Sequence, residues 1–538
     1  MPTRPPAQTL ILTGASGFIG RHLLEELKSD YRIFAIARRS QHDCGAPMHP
    51  NIAWMRVDIG DREALARTFR EIATAGGAET LIHLAAYYDF TGAEHPEYLR
   101  TNVEGTRNVL ELSREAPIGS FVFASSVAAC GFPRAEGPVD ERTPPDGDHV
   151  YAWSKREGEK LVTEIAAPAL PTRIVRVGAI YSDWCEYPPL YVFLRTWLGS
   201  TPWWRVVGGR GEMAIPYIHI REIVAFFRRL LAVPAEPGPA EVLVASTEGS
   251  TSLGRLFELS TRAFYGRART PIHVPRPLAR LGLVALDLWG RAIRRIPFER
   301  PWMGAYIDRR LEVDNRRTRE RLGWDLNPRF SIERRLPFLI ERLKSEPFEW
   351  LARNTALLTR EPLRPDLRIY YALLEAEDRV VGAVASQLED SGNLGGAGLA
   401  GMDGAEREWY TRLLYRLLLN SVQNSNRMLL LNYLAMTARR RYELGFDAIE
   451  LCMLLDRIGV ETRNWLARRQ ELGGFERQVH DRITVPLELA KDELLDQYER
   501  YLRNPAEARD EGSEPAGAGR TAQEQLAETI WQCLVQRR

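Results

Sequence analysis

Short apolar runs alternate with amphipathic stretches from Thr9 to about Pro234. TLILTG, RIFAIARR, ETLIHLAA and SFVFASS read as strands, and RHLLEELKS and NVEGTRNVLELSRE carry apolar residues at helical spacing between them. Strands separated by helices form βαβ units, so a parallel sheet with helices packed on it is expected. IVRVGAIY reads as a further buried strand. The pattern weakens around Pro202 to Trp204, and that region, with later segments to about Lys344, is expected to cap the sheet and shape a pocket. After about Ser345 the strands stop and long helical patterns take over, among them LRIYYALLEAEDRVVGAVASQLED. Leu414, Leu417, Leu418 and Val422 mark an apolar stripe to be buried against neighbouring helices or a second subunit. The expected division is therefore 1–344, an α/β domain with a substrate cap; 345–505, an all-helical regulatory or dimerising domain; and 506–538, a flexible linker and a short amphipathic helix, Gln523 to Gln536. The Gly-rich SGNLGGAGLAGMDG forms a loop between two of the helices.

Composition narrows the function classes. The 538 residues are 45% hydrophobic and 27% charged, enough for a sizeable core and more than one domain. With 72 basic against 71 acidic side chains the formal charge is +1, which offers no overall field for nucleic acid or an anionic membrane. Cys44, Cys130, Cys185, Cys452 and Cys533 show neither metal-site spacing nor a disulfide framework, which fits a reducing cytoplasm. Met1 to Gln8 has no apolar signal region, and no uninterrupted apolar stretch of about 20 residues occurs, so neither secretion nor a membrane span is expected. The histidines lack HExxH-type spacing, so no metal is assigned. Leu278 to Ile296 is a basic amphipathic stretch; such a helix more often covers a core than touches a membrane surface.

The strongest local motif is Thr13-Gly14-Ala15-Ser16-Gly17-Phe18-Ile19-Gly20, a glycine-rich turn between a strand and a helix. Glycines there let backbone approach a pyrophosphate, and the helix N-terminus presents unpaired N–H groups with a partial positive charge.

Taken with Asp58-Ile59, HLAA at His83 to Ala86, NVEGT from Asn102, Ser125-Ser126 and Tyr151-Ala152-Trp153-Ser154-Lys155, this turn resembles the extended short-chain dehydrogenase/reductase family over roughly residues 8 to 344. That family includes sugar-nucleotide epimerases and dehydratases, hydroxysteroid dehydrogenases and dihydroflavonol reductases. The resemblance implies a Rossmann-like doubly wound parallel sheet. It implies that Gly14, Ser16, Gly17, Phe18, Ile19 and Gly20 hold the pyrophosphate, that Asp58 and Ile59 flank the adenine, and that Leu84, Ala85, Ala86 and Gly178 line the cofactor cleft. Asn102 matches a position near the cofactor, or holds neighbouring backbone together.

Tyr151 and Lys155 are four residues apart, on one face of a helix and one turn from each other. A tyrosine with its ordinary pKa of about 10 must be acidified to act as a base near neutrality, and the Lys155 ammonium with an oxidised nicotinamide would favour the phenolate. By the resemblance Lys155 also holds the nicotinamide ribose, and Ser126 hydrogen-bonds the substrate oxygen.

At the end of the second strand, where an acid would bond a ribose 2′-hydroxyl, the chain has Arg38 and Arg39 and no Asp or Glu between Tyr31 and Gln41. Two guanidinium groups suit a 2′-phosphate, which favours NADP over NAD. Ala179 and Ile215 stand where sugar-nucleotide members carry an Asn and an Arg for the substrate, and Cys130 stands where many relatives place a Tyr. The aromatic residues Trp184, Tyr187, Trp197, Trp203 and Trp204 either line an apolar pocket or pack a core. The expected protein is a cytoplasmic NAD(P)-dependent oxidoreductase acting on a hydroxyl or carbonyl of a mainly apolar small molecule. The enzymatic alternative is a sugar-nucleotide epimerase or dehydratase, and the non-enzymatic one a dinucleotide-sensing regulator. The latter draws on a short likeness of Thr437 to Phe446 and the following helix to a helical sensor domain of bacterial stress-response regulators; a homodimer fits either.

Overall fold

A computed structural model describes residues 8–503 apart from 133–136, 168, 200–202, 294–296, 360–364, 391–398, 400, 425–426, 470–471 and 473–474. The chain divides into two compact units, Met1–Pro362 and Leu363–Arg538.

The first unit is built on β1 (Gln8–Thr13), α1 (Phe18–Leu27), β2 (Tyr31–Ala37), α2 (Gln41–Cys44), β3 (Ile52–Arg56), α3 (Arg62–Thr74), β4 (Ala78–His83), a helical segment Tyr98–Gly105 running into α4 (Thr106–Glu115), β5 (Ile118–Ser126), α5 (Val150–Leu161) and β6 (Thr172–Val177). There follow β7 (Ala179–Tyr181), α6 (Pro188–Trp197), β8 (Val206–Gly208), β9 (Ala214–Ile215), β10 (Tyr217–His219), α7 (Ile220–Ala232), β11 (Glu241–Ala245), β12 (Thr251–Ser252), α8 (Leu253–Tyr265), β13 (Ile272–Val274), α9 (Arg276–Ala292), α10 (Arg316–Leu322), α11 (Ile332–Ser345) and α12 (Pro347–Thr359). Seven strands form one sheet in the order β11-β6-β5-β4-β1-β2-β3, every pairing parallel. This is the doubly wound sheet expected from the sequence.

Successive side chains of a strand point to opposite faces. Leu10 and Leu12 of β1 therefore join a core with Leu23, Leu24, Phe226 and Trp324, while Ile11 between them joins one with Leu65, Phe69, Val109 and Leu161 on the other face. Helices on both faces explain why these strands are continuously apolar rather than alternating. The chain order reverses between β1 and β4, and the crevice at the carboxyl ends of those strands is the ligand position for this architecture.

The cap has its own core, in which Leu190, Tyr191, Leu194 and Trp197 of α6 meet Leu256 and Phe257 of α8, Leu336 and Leu339 of α11, and Trp350 of α12. The first unit thus continues beyond the change of pattern near Ser345. The ring of Trp350 lies 5.0 Å from that of Tyr191. Asn354 donates to the Trp184 carbonyl at 2.8 Å and accepts from the Glu186 amide at 2.8 Å. A helical pattern does not reveal what its apolar face packs against, so α12 reads as part of the following helices in sequence alone.

The second unit contains α13 (Pro365–Asp390), α14 (Gly404–Asn424), α15 (Met428–Glu443), α16 (Ala448–Ala467), α17 (Glu476–Val479) and α18 (Val485–Arg503). Leu414, Leu417, Leu418 and Val422 are fully buried within this unit's own core, against residues of α13, α15 and α16. A second subunit is not needed to cover them. The linker and final helix expected over 506–538 lie outside the described residues, as does most of the SGNLGGAGLAGMDG loop. Among the described residues no helix is long and apolar enough to cross a membrane.

Cutting the chain after Lys344 would expose the cap core and remove Asn354, whereas cutting after Pro362 leaves both intact. A 1–362 fragment should purify as a folded species and melt cooperatively. A 1–344 fragment should melt at a clearly lower temperature or aggregate, since loss of a buried Trp alone costs about 3–5 kcal/mol. Thermal melts of the two fragments compare them directly.

Candidate active site

The glycine-rich turn joins β1 to α1 beside the end of β4. Gly14 has φ +69°, and a Cβ placed there would lie 2.6 Å from the Ala85 amide nitrogen. One at Gly20 would lie 2.5 Å from the Gly14 carbonyl oxygen. Neither position admits a side chain, so the turn, the first turn of α1 and Leu84-Ala85 stay in backbone contact. Leu84 donates to the Thr13 carbonyl at 3.2 Å. Gly17 caps α1 without a side chain, and the first turn carries no acid. At this helix end no internal carboxylate therefore competes with an anion for the first N–H groups.

Arg39 crosses from the end of β2 to this turn, its guanidinium donating to the Ser16 carbonyl at 2.6 Å. Arg38 is more exposed and pairs with Glu97 at 3.3 Å. Asp58 accepts from the Gly60 amide at 2.9 Å and pairs with Arg100 at 2.6 Å; these bonds hold its carboxyl below the usual range. Ile59 is buried against Gly105. Asn102 is buried and fully engaged: it accepts from the Tyr87 amide at 2.6 Å and donates to the Tyr87 carbonyl at 2.8 Å and to the Ser154 hydroxyl at 2.9 Å. It thereby ties the loop after β4 to α5. Ala86 is exposed at that loop. Gly178 follows β6, and a Cβ there would lie 2.5 Å from the Ser246 hydroxyl.

Ser126 ends β5, and Tyr151 and Lys155 lie one turn apart on α5. The Tyr151 phenol is hydrogen-bonded with the Ser126 side chain, which pulls its pKa down, but burial outweighs this and pushes it up to about 12. Burial likewise holds the Lys155 ammonium down to about 8, with Glu159 pulling the other way. The acidified phenol expected from the motif is thus not a property of these side chains alone. Lys155 donates to the Ala124 carbonyl at 2.7 Å and sits 5.0 Å from the centre of the Phe123 ring.

Beneath Lys155 lies a group that the motifs do not indicate. Glu159 pairs with Arg176 of β6 through both oxygens, at 3.1 and 2.8 Å, and accepts from Ser125 of β5 at 2.5 Å. Arg176 also donates to the Thr143 carbonyl at 2.7 Å. Both members of the pair are buried. An Arg within the apolar run TRIVRV was the visible signal of a buried partner. Gly158 lets α5 approach β5, since a Cβ there would meet the Phe123 ring at 2.5 Å.

Aromatic rings surround Tyr151, though mostly other ones than the sequence pointed to. Tyr88 lies 4.1 Å from the Tyr151 ring and Phe90 lies 4.4 Å from Tyr88. Phe90 in turn meets Tyr187 at 6.1 Å and Phe298 at 5.6 Å. Of the five expected residues only Tyr187 belongs here. Trp197 is core, edge-on to Phe257; Trp203 is exposed; Trp204 meets Tyr265; and Trp184 lies under Arg342 and Arg353. The YYDF run following HLAA was legible, whereas Phe298 joins from a distant segment. Beside these rings a cavity of about 990 Å³ is lined by Leu99, His149, Val150, Trp153, Trp302 and Tyr306 among others. Tyr151 does not line it, but His149 stacks 6.1 Å from Tyr151 and 5.9 Å from Trp302. No group of three or more His, Cys, Asp or Glu suited to a metal occurs among the described residues.

Residues 10–246 match the NAD dependent epimerase/dehydratase family. An N-acetyl-alpha-D-glucosaminyl-diphospho-ditrans,octacis-undecaprenol 4-epimerase of Escherichia coli O157:H7 is 32% identical over 177 residues, 32% of this chain and 49% of the relative. A ceramide reductase of Caulobacter vibrioides is 34% identical over 176 residues, 32% of this chain and 45% of the relative. The chain thus spans about half the length of these curated relatives. A crystal structure of UDP-glucuronic acid 4-epimerase from Bacillus cereus in complex with NAD is 18% identical, with a TM-score of 0.47, and covers 62% of this chain and 98% of that chain. The likeness of Thr437 to Phe446 to a sensor domain lies outside the matched family segment and finds no support.

Breaking one side of the buried pair should be costlier than removing both. Arg176→Met leaves Glu159 uncompensated and should lower unfolding stability by about 3–5 kcal/mol, while Arg176→Met with Glu159→Leu should recover most of the loss. Chemical denaturation of the three proteins checks this ordering.

Proposed function

Because residues 10–246 belong to the NAD dependent epimerase/dehydratase family, we propose that the first unit is an NAD(P)-dependent oxidoreductase of the extended short-chain dehydrogenase type, acting on a hydroxyl or carbonyl of a mainly apolar small molecule. The observation that carries this reading is that Ser126, at the carboxyl end of β5, is hydrogen-bonded with Tyr151, one turn from Lys155 on α5, in a sheet whose first strand ends in a turn where Gly14 and Gly20 admit no side chain. That turn fits a dinucleotide: its uncapped helix end suits a pyrophosphate, and Gly14 and Gly20 leave no Cβ in the way. A bound nicotinamide supplies the acceptor or donor of a hydride. In alcohol oxidation Tyr151, as phenolate, would take the hydroxyl proton while the alcohol is oxidised to the carbonyl. Ser126 donates to the developing carbonyl oxygen, and Lys155 turns a remaining N–H toward the phenolate and the ribose. Reduction runs these steps in reverse. Burial holds the Tyr151 phenol up at about 12, and the positive charge of an oxidised nicotinamide would favour its phenolate.

Arg39 on the Ser16 carbonyl and Arg38 beside it, with no acid at the end of β2, support NADP as the cofactor, NAD being the alternative. The rings of Tyr88, Phe90, Tyr187 and Phe298 support an apolar substrate. So does the ceramide in the name of the Caulobacter vibrioides relative, whereas the name of the Escherichia coli relative joins a lipid to a sugar diphosphate and fits the epimerase reading as well. The rival reading, a sugar-nucleotide epimerase or dehydratase, is favoured by the family description but would need donors for a diphosphate, where Ala179 and Ile215 offer none. The comparisons lend no support to a dinucleotide-sensing regulator. Free Cys44, Cys130 and Cys185, all buried, support a cytoplasmic location, and exposed Leu99 and Trp153 on neighbouring helices support a homodimer.

With a panel of long-chain alcohols and ketones, turnover followed by NADPH absorbance should fall about a hundred- to ten-thousand-fold in Tyr151→Phe, with dinucleotide affinity unchanged. Lys155→Met should move the rise of oxidation rate to higher pH, because the phenolate loses its nearby cation. Undiminished turnover in Tyr151→Phe contradicts the assignment, and turnover without net NADPH change favours the epimerase.

A further inference from the structure

In a water-facing helix the apolar stripe normally turns inward. Helix α9 is built the other way round: among its residues only Asp287 and Gly290 are buried. Leu278, Leu281, Leu288 and Trp289 are 58%, 67%, 63% and 61% exposed. Leu278, Leu281, Ala285 and Leu288 recur at three- and four-residue spacing, so they form one stripe along the helix.

The opposite side is fastened to the unit. The Arg280 guanidinium donates to the Gly304 carbonyl at 2.9 Å, and Gly304 leaves so little room that a Cβ there would lie 3.0 Å from Arg280 Cγ. Asp287 pairs with Arg291 at 2.7 Å and with Arg300 at 2.9 Å. Ala279 stands against Gly208 of β8. Rotating the stripe inward would break these bonds and bury the charged groups instead.

Apart from Asp287, the charges that α9 carries beside the stripe are of one sign. Asp287 is the only acid on α9, and its side chain is 6% exposed and paired twice. Arg280 and Arg291 are exposed at the edge of the fastened side, where no second acid on α9 offsets them. A second copy of this chain would oppose the same cations across a symmetric contact, which is unfavourable. An anionic surface complements them, and an exposed tryptophan near the basic end suits the boundary between water and hydrocarbon. The helix is about 26 Å long at 1.5 Å per residue and carries arginines at both ends, which suits lying in the interface rather than spanning it.

We propose that α9 docks the protein onto the surface of an anionic phospholipid bilayer, with Leu278, Leu281, Leu288 and Trp289 entering the acyl boundary and the arginines meeting the headgroups. The chain leaving α9 carries Phe298 to Phe90 and Trp302 to His149. If the oxidoreductase reading also holds, the rings around Tyr151 draw an apolar substrate from the same surface; the docking itself does not rest on that reading.

The test uses full-length protein and sucrose-loaded vesicles, either phosphatidylcholine alone or an equal mixture with phosphatidylglycerol. Wild type should sediment with the anionic vesicles, less so as salt is raised. A Leu281→Gln, Leu288→Gln, Trp289→Gln variant should partition at least about tenfold less, because each of these side chains contributes more than that when fully buried. Its melting temperature should stay that of wild type, since the three residues are exposed. Wild type remaining in the supernatant with both vesicle types overturns the proposal. So does undiminished sedimentation of the variant, or wild type that self-associates while the variant is monomeric, which would assign the stripe to a second copy.

Discussion

The arrangement of the site depends on a buried ion pair. Glu159 is drawn to Arg176 and Ser125 from α5, β6 and β5 respectively, so one carboxylate joins a helix to two neighbouring strands. Neither charge could stay in the interior alone, and the attraction that compensates both also fixes the height and rotation of α5 on the sheet. Lys155 lies one turn before Glu159 and Tyr151 one turn before that, so both are carried to the carboxyl edge beside Ser126. Gly158 reinforces the placement, because any Cβ there would push α5 off Phe123.

A second constraint works from the other side of the crevice. Gly14 and Gly20 bring the first turn of α1 into backbone contact with the end of β4, and Asn102 fastens the loop after β4 to α5. The two halves of the site are thus joined at Tyr87 and Ser154. Both anchors lie at the carboxyl ends of the strands, where the strand order reverses between β1 and β4.

Local patterns disclosed those parts whose chemistry is local. The strand-turn-helix with TGASGFIG, the four-residue spacing of Tyr151 and Lys155, and the alternation of strands and helices each read correctly, because backbone sterics and periodicity act over short spans. What depends on distant packing did not read in the same way. Trp197 looked as suited to a pocket as Tyr187, but only contact with Phe257 shows it to be core. Helix α12 looked like the start of the helical region until Trp350 and Asn354 were seen against Tyr191 and Glu186. The stripe of α9 was visible as an amphipathic pattern, yet its outward direction is set by Arg280, Asp287 and Arg300. Asn102 matched a family position, and its engagement with Tyr87 and Ser154 shows it holding backbone together.

The central claim is that the turn at Gly14 to Gly20 holds a nicotinamide dinucleotide, and Gly17 offers the sharpest probe of it. Gly17 has φ −76° and ψ 176°, extended backbone that any residue adopts, and it occupies the cap of α1; a Cβ there would lie 3.0 Å from the Gly14 carbonyl oxygen, so a side chain needs a shift of a few tenths of an ångström in the turn. An aspartate there would satisfy the helix N–H groups, which offsets the crowding of its Cβ, while denying those groups to a pyrophosphate and repelling its charge. Native mass spectrometry of full-length protein mixed with equal amounts of NADP and NAD should show one dinucleotide per chain, mostly NADP, in wild type and none in Gly17→Asp, with both proteins equally folded. Wild type that binds neither dinucleotide, or a Gly17→Asp variant that binds as well as wild type, would contradict the account.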